Sequence, residues 1–371
     1  MTEAPRPISL LIAACLCGFL AACGNDSAKP SGGKPSATSS RAPAPGSRPV
    51  IAANARFSYP VGIAADASGN LYVADTGNYT VRMISTDGVV TTIAGAAGEK
   101  GNVDGAGGAA RFDHPTGVSA DTDGNIYVID SNAIRKIAPD GSVSTLAGMV
   151  AETGYADRKG AAALFYRPEG IAADSAGNLY VADTGNRAIR RISPAGEVST
   201  LTKIDQEAIH SIAVKGSRLY VGGENCMWRV DLSGNGGMVL ARMGGEIGVY
   251  DHVDGSTGIR FWPLTGITAD QAGNVYATES FIYPKRQPPL GVIRKMTPSA
   301  DGLRFTASTL AGNPAKAGSA DGIGSAARFN LPLGIAADAS GNLYVTDSYN
   351  HAVRKVTPAG AVTAYSGERD W

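Results

Sequence analysis

The chain has 371 residues, with 33 Lys and Arg against 33 Asp and Glu, so no net field draws it to nucleic acid or to anionic lipid. Its 48 glycines and 18% charged residues fit a turn-rich globular protein and exclude a disordered polyelectrolyte.

Residues 1–22 read as a targeting segment. Ile8–Ala22 is an apolar run too short to span a bilayer comfortably, and it ends in small residues as a signal-peptide core does. Leu20-Ala21-Ala22-Cys23 has the form of a bacterial lipobox, which makes Cys23 the acylated first residue of the mature chain, with a plain anchor helix as the alternative. Residues 23–48 are rich in Ser, Pro, Gly and Ala and form a tether that cannot build a core. Cys15 and Cys17 leave with the signal peptide, so Cys226 is the one thiol of the folded part and no internal disulfide forms. Beside Met227 and Trp228 it is expected to be buried and inert.

From residue 49 to 371 the chain repeats itself. GIAADASGNLYVADTGNYTVRMI from Gly62 returns as GIAADSAGNLYVADTGNRAIRRI from Gly170 and GIAADASGNLYVTDSYNHAVRKV from Gly334, with weaker copies opening at Gly117, Ser211 and Gly266. Six units about 40 to 70 residues apart, each with four short β-type runs joined by Asp-, Gly- and Asn-containing turns, predict a six-bladed propeller of four antiparallel strands per blade. The Gly-rich connectors GNVDGAGG and GSADGIGS precede no helix, so turns are expected there rather than phosphate cradles.

Residues common to the blades are expected to serve the architecture. Asp66, Asp121, Asp174, Asp270 and Asp338 recur at the first turn and Asp75, Asp130, Asp183 and Asp347 at the second, as acceptors for turn N–H groups. Phe57, Phe112, Phe165, Phe261 and Phe329 are expected to wedge between blades. Arg82, Arg135, Arg190, Arg229, Arg294 and Arg354 read as a ladder of rim-exposed ion pairs with the acidic turns, worth about 0–1 kcal/mol each.

A site for one ligand must break this symmetry, and two repeats do. The fourth, IHSIAVKGSRLYVGGENCMWRV, puts Lys215 and Gly223 where the two turn aspartates belong. The fifth inserts FIYPKRQPPLG into its second hairpin, bringing Phe281, Tyr283, Lys285 and Arg286 onto a proline-stiffened loop suited to recognition. If the first strand of each blade lines the axial channel, the residue before each opening position rings its mouth: Val61, Thr116, Glu169, His210, Thr265 and Leu333. The loop 281–291 then overhangs the same end. Thr116, Glu169, His210 and Thr265 are the polar members, and Glu169 beside His210 forms an acid–base or ligand pair.

The F-x-x-P-x-G-I-A-x-D-x-x-G-N-L-Y-V-A-D-T-G-N core, at Phe57–Asn78 and Phe165–Asn186, resembles the NHL-repeat β-propeller family. The resemblance covers roughly residues 50–367 and implies an all-β fold. It does not select a function, because such propellers include RNA-binding, protein-interaction and lyase members. The leading expectation is a monomeric, lipid-anchored module of the bacterial cell envelope. It binds a protein or small-molecule ligand at the channel mouth and meets the membrane only through Cys23, and no nucleic-acid partner is expected. The alternative is a lyase or lactonase-like hydrolase with a divalent metal in the axial channel, held by His210 and Glu169. G-x-S-x-G, H-E-x-x-H, Walker and CxxC motifs are missing, which favours binding over catalysis.

Overall fold

The computed structural model describes residues 56–232, 239–281, 290–299 and 304–367. Six antiparallel sheets follow one another in chain order. Blade one is Pro60–Ala65, Leu71–Asp75, Thr80–Ile84 and Val90–Ala94, and blade two is Pro115–Ala120, Ile126–Asp130, Ala133–Ile137 and Ser142–Gly148. Blade three comprises Pro168–Ala173, Leu179–Asp183, Ala188–Ile192 and Val198–Lys203, and blade four Ile209–Lys215, Arg218–Gly223, Cys226–Asp231 and Val239–Gly245. Leu264–Ala269, Val275–Phe281, Leu290–Pro298 and Phe305–Gly312 make blade five, and Pro332–Ala337, Leu343–Asp347, Ala352–Val356 and Ala361–Gly367 make blade six. The fold is a six-bladed, all-β propeller. The two Gly-rich connectors do more than turn, because Gly105–Ala106 and Gly322–Ile323 each add a two-residue fifth strand, to blades two and six.

The turn chemistry explains why each repeat becomes a blade. Asp66 Oδ1 accepts the N–H groups of Ser68 and Asn70, while its Oδ2 accepts from the Asn70 amide and the Tyr72 hydroxyl. The Asn amide and Tyr hydroxyl contacts recur at Asp121, Asp174, Asp270 and Asp338, so each first hairpin is closed by one carboxylate. Apolar residues of adjacent blades share one core layer between them. Phe112 packs with Ala74 and Val81 of blade one and with Val118 and Ile126 of blade two, and the other four phenylalanines hold matching places.

Sheet geometry accounts for the opening glycine. A Cβ on Gly334 would lie 2.5 Å from the Val61 carbonyl oxygen, so the innermost strands can touch only if that position has no side chain. Hydroxyls fasten the same seams. Thr76 Oγ1 donates to Pro115 O, Thr184 Oγ1 to Ile209 O and Thr278 Oγ1 to Leu333 O, each at 2.6 Å. Thr346 Oγ1 donates to Val61 O at 2.6 Å, and Ser348 to Pro60 O, which joins blade six to blade one by the same device. Blade six keeps its own fourth strand, so these blades meet by packing. Pro49–Ala53, the other expected source of a closing strand, lies outside the described residues, as do residues 1–48.

The arginines correct the expectation of rim-exposed pairs. Side chains of Arg135, Arg190 and Arg294 are 0% exposed and that of Arg354 is 2%. Each bonds the acid that ends its blade's second strand: Asp130 at 2.9 Å, Asp183 at 2.7 Å, Glu279 at 2.6 Å and Asp347 at 2.9 Å. Each also lies over the inter-blade phenylalanine, 5.0–5.5 Å from its ring centre. They are buried because the connector entering each blade folds over them, a contact between segments roughly 30 residues apart that local patterning does not reveal. Three second-turn aspartates serve their own turns as expected, Asp75, Asp183 and Asp347 accepting the side-chain N–H of Asn78, Asn186 and Asn350. Asp130 differs: its Oδ2 takes Arg135, and its Oδ1 accepts the N–H groups of Asp113 and His114 from the entering connector.

Candidate functional site

The strand entry and the second hairpin share one end of the propeller. Gly77 N–H donates to Ser58 O, Gly185 to Tyr166 O and Ser348 to Leu331 O, which ties each second hairpin to the segment entering its blade. At this end blade four departs from the others. Gly223 stands where an acid should end the second strand, and Glu207 compensates from the connector before the blade. A Cβ on Gly223 would lie 2.6 Å from Glu207 Cδ, so the carboxylate occupies the region where an aspartate side chain would project. It accepts the Asn225 N–H at 3.0 Å and the Trp228 indole N–H at 2.5 Å, and the residue is 5% exposed. The inter-blade latch is relocated as well. Ser211, in place of the opening glycine, donates its hydroxyl to Leu264 O at 2.7 Å. The position that holds Thr76 or Thr184 elsewhere is thereby released and carries Glu224.

Glu169 and His210, on the innermost strands of blades three and four, meet as the sequence predicts: His210 Nδ1 lies 2.7 Å from Glu169 Oε2. Glu169 keeps 27% of its side chain exposed, whereas His210 is 3% exposed. Burial alone would hold the imidazole neutral, but Glu169, with Glu224 and Glu207 behind it, outweighs burial and holds His210 above the ordinary histidine value. A raised histidine contributes stability that is fully present below about pH 6.5 and is lost as pH rises through the raised value. Nδ1 is the ring nitrogen that faces Glu169, and in the protonated ring it donates its N–H there. Nε2 is buried and has no hydrogen-bond partner among the described residues. Glu224 Oε1 is likewise buried and unpartnered, while its Oε2 accepts the Tyr250 hydroxyl at 3.0 Å. The region thus holds an imidazole nitrogen and a carboxylate oxygen that are unmet among the described residues, beside the partly exposed carboxylate of Glu169.

The remaining expected site residues divide. The Thr265 hydroxyl is taken up at the blade five–six seam by Thr278 Oγ1 at 3.1 Å and Pro332 O at 3.2 Å. Thr116 is half-buried on the innermost strand of blade two, and among the described residues no hydrogen bond joins it to the Glu169–His210 pair. Phe281 ends the second strand of blade five at the mouth end, opposite Leu290. Tyr283, Lys285 and Arg286 lie outside the described residues. The other histidines are placed elsewhere. His252 Nδ1 is 2.6 Å from Glu279 and its Nε2 is 2.9 Å from Thr309 Oγ1, while His351 Nδ1 accepts the Tyr59 N–H across the closing seam at 3.1 Å. Burial holds both His114 and His351 below the ordinary value. Cys226 is buried, and burial, with Glu207 adding to it, pushes its thiol up to about 12, which leaves it inert.

Glu207 and Glu224 escaped sequence reasoning. The signal was the missing aspartate at Gly223, which demanded a replacement acceptor from somewhere in the chain. A divalent metal fits poorly here. Among the described residues no three His, Cys, Asp or Glu side chains are arranged to hold one, and a catalytic site of that kind draws on three protein ligands.

Comparison with known proteins agrees with this architecture. The family model for the NHL repeat matches residues 57–82, 165–192 and 329–356, in blades one, three and six. Suppressor of Quenching 1, chloroplastic, of Arabidopsis thaliana is 31% identical over 238 residues, which is 57% of this chain and 22% of that protein. The chain therefore spans about a fifth of that relative's length. An auxiliary nutrient binding protein from Bacteroides ovatus superposes with a TM-score of 0.61 at 18% identity, over 83% of this chain and 70% of the other. A gluconolactonase from Xanthomonas campestris gives 0.53 at 13% identity, over 83% and 87%. At such identities the likeness is one of fold.

Proposed function

Because the chain carries NHL repeats closed into a six-bladed propeller, we propose that it is a binding module of the bacterial cell envelope, with its ligand site at the channel mouth between blades three and four. The observation that carries this reading is the buried, unpartnered Nε2 of His210, held in place by Glu169 in the blade that abandons the common pattern. A buried polar atom left unmet is costly, and a ligand that meets it recovers that cost on binding. The chemistry of the site calls for a small polar molecule offering an acceptor to Nε2 of the protonated His210 and a donor to the carboxylates. A nutrient-binding neighbour of the same fold is consistent with such a role, as analogy.

Binding such a molecule should raise the thermal midpoint of the wild-type chain as its concentration exceeds Kd, by the mass-action term of about 2.7 kcal/mol at a hundredfold excess. We expect His210→Gln and Glu169→Gln to abolish that rise, and a rise retained in both variants would move the site elsewhere. The module is anchored through Cys23 in this reading. Fractionation checks that separately: Cys23→Ala should leave the membrane fraction, and its retention there at the wild-type level would refute lipid anchoring.

A further inference from the structure

In blades two, three, five and six the third-strand arginine is gripped from outside by an aspartate of the entering connector. Arg135 Nη2 bonds Asp104 at 2.7 Å, Arg190 bonds Asp157 at 2.7 Å, Arg294 bonds Asp254 at 2.8 Å and Arg354 bonds Asp321 at 2.8 Å. In three of these blades the other carboxylate oxygen accepts an edge N–H of the fourth strand: Thr145 at 3.0 Å, Thr200 at 2.9 Å and Thr309 at 2.9 Å. Each connector also pairs with the fourth strand or the residue leading into it, through Gly105↔Val143, Lys159↔Glu197, Gly255↔Ala307 and Gly322↔Val362. The four edges are covered as a result, and Val143, Val198, Ala307 and Val362 are 1–5% exposed.

Among the described residues, blade one has the same receptor without that cover. Arg82 bonds Asp75 at 3.2 Å and lies 5.7 Å from the Phe57 ring, but no second carboxylate of the described residues reaches it, and its side chain is 15% exposed against 0–2% for the other four. Val90 and Thr92, paired with Ile84 and Arg82 as Val143 and Thr145 are with Ile137 and Arg135, are half-buried and exposed respectively. Among the described residues no segment pairs with the outer side of Val90–Ala94. The aspartate stands eight residues before the inter-blade phenylalanine in blades two, three and six and seven before it in blade five. The corresponding positions before Phe57 are Pro49 and Val50, which carry no carboxylate.

We propose that the outer edge of blade one docks an extended, aspartate-bearing peptide segment of a partner protein, added as a fifth strand. Its carboxylate bridges the Arg82 guanidinium and the Thr92 N–H. The chain's own connectors supply the template: a small apolar residue, then aspartate, then glycine in three of the four copies. Main-chain pairing provides the affinity and the charge-assisted contact selects the aspartate, as in other recognition by strand addition. The arginine and the edge lie on the third and fourth strands of blade one, whereas Glu169 and His210 lie on the first strands of blades three and four, so the two interactions are separate.

The probe is a labelled peptide with the chain's own sequence at 100–108, KGNVDGAGG, titrated against the full-length chain by fluorescence anisotropy. Saturable binding is expected, weakened about tenfold or more when the peptide carries Asp104→Asn, because a hydrogen bond to a charged group is worth about 1.5–3 kcal/mol. Thr92→Pro in the protein should weaken it similarly while leaving the unfolding midpoint near wild type, since proline is tolerated where an edge N–H faces outward. Absence of saturable binding, or equal binding of the Asn peptide, would overturn the proposal, and this peptide comparison on the wild-type chain stands whether or not the proline variant folds. Self-association abolished by Thr92→Pro, seen by light scattering, would assign the edge to a second copy and overturn the partner assignment.

Discussion

Arg135→Ala is expected to cost about 3–5 kcal/mol of folding stability, several times what a surface ion pair contributes. The side chains of both Arg135 and Asp130 are fully buried, so removing the guanidinium leaves a carboxylate with neither water nor a cation to stabilise it. Burial already pushes Asp130 up to about 6 against the pull of its N–H donors and Arg135, and without Arg135 it must rise further. The sign of the pH dependence follows. The variant's deficit is largest above the raised value, where Asp130 must ionise in the folded state, and it shrinks as pH falls and the acid is protonated. Urea unfolding of wild type and variant at pH 7.5 and pH 5 checks both statements. A loss below about 1 kcal/mol at pH 7.5 would mean that the arginines behave as surface pairs after all.

The second large effect runs against repeat logic. Restoring the common residue in blade four, Gly223→Asp, is expected to destabilise the protein by at least the 1–3 kcal/mol typical of overpacking, because Glu207 already fills that volume and would face a second carboxylate. Combining it with Glu207→Ala should recover much of the loss, since one acid then remains in the site. A double-mutant cycle over the two positions measures the coupling, and additive effects would show that Glu207 does not substitute for the missing aspartate.

What the sequence disclosed and what it withheld divide along a physical line. Blade number, strand order and the first-turn aspartates were legible because period-2 patterning and Asp-x-x-Gly-Asn turns are local signals repeated often enough to align. The Glu169–His210 contact was legible because the propeller carries equivalent positions of successive repeats onto neighbouring inner strands. Burial of the arginines was not, since it depends on connectors folding back over residues some 30 positions away. Glu207 was hidden for a related reason: it serves blade four from outside the aligned repeat, and the repeat pattern records only that an aspartate is missing. Thr265 was read as a ligand-facing hydroxyl, but the adjoining seam needs it as a donor.

The central claim is that broken symmetry at blade four marks the binding site, and imidazole NMR tests it most directly, because the chain has only four histidines. Observed in the wild-type chain while a ligand that raises its thermal midpoint is titrated in, the resonances of His210 should move, and those of His351 at the closing seam and His252 at the blade-five arginine should stay. If the ligand binds and His210 does not respond while one of the others does, the site lies elsewhere on the propeller and the account of blade four fails.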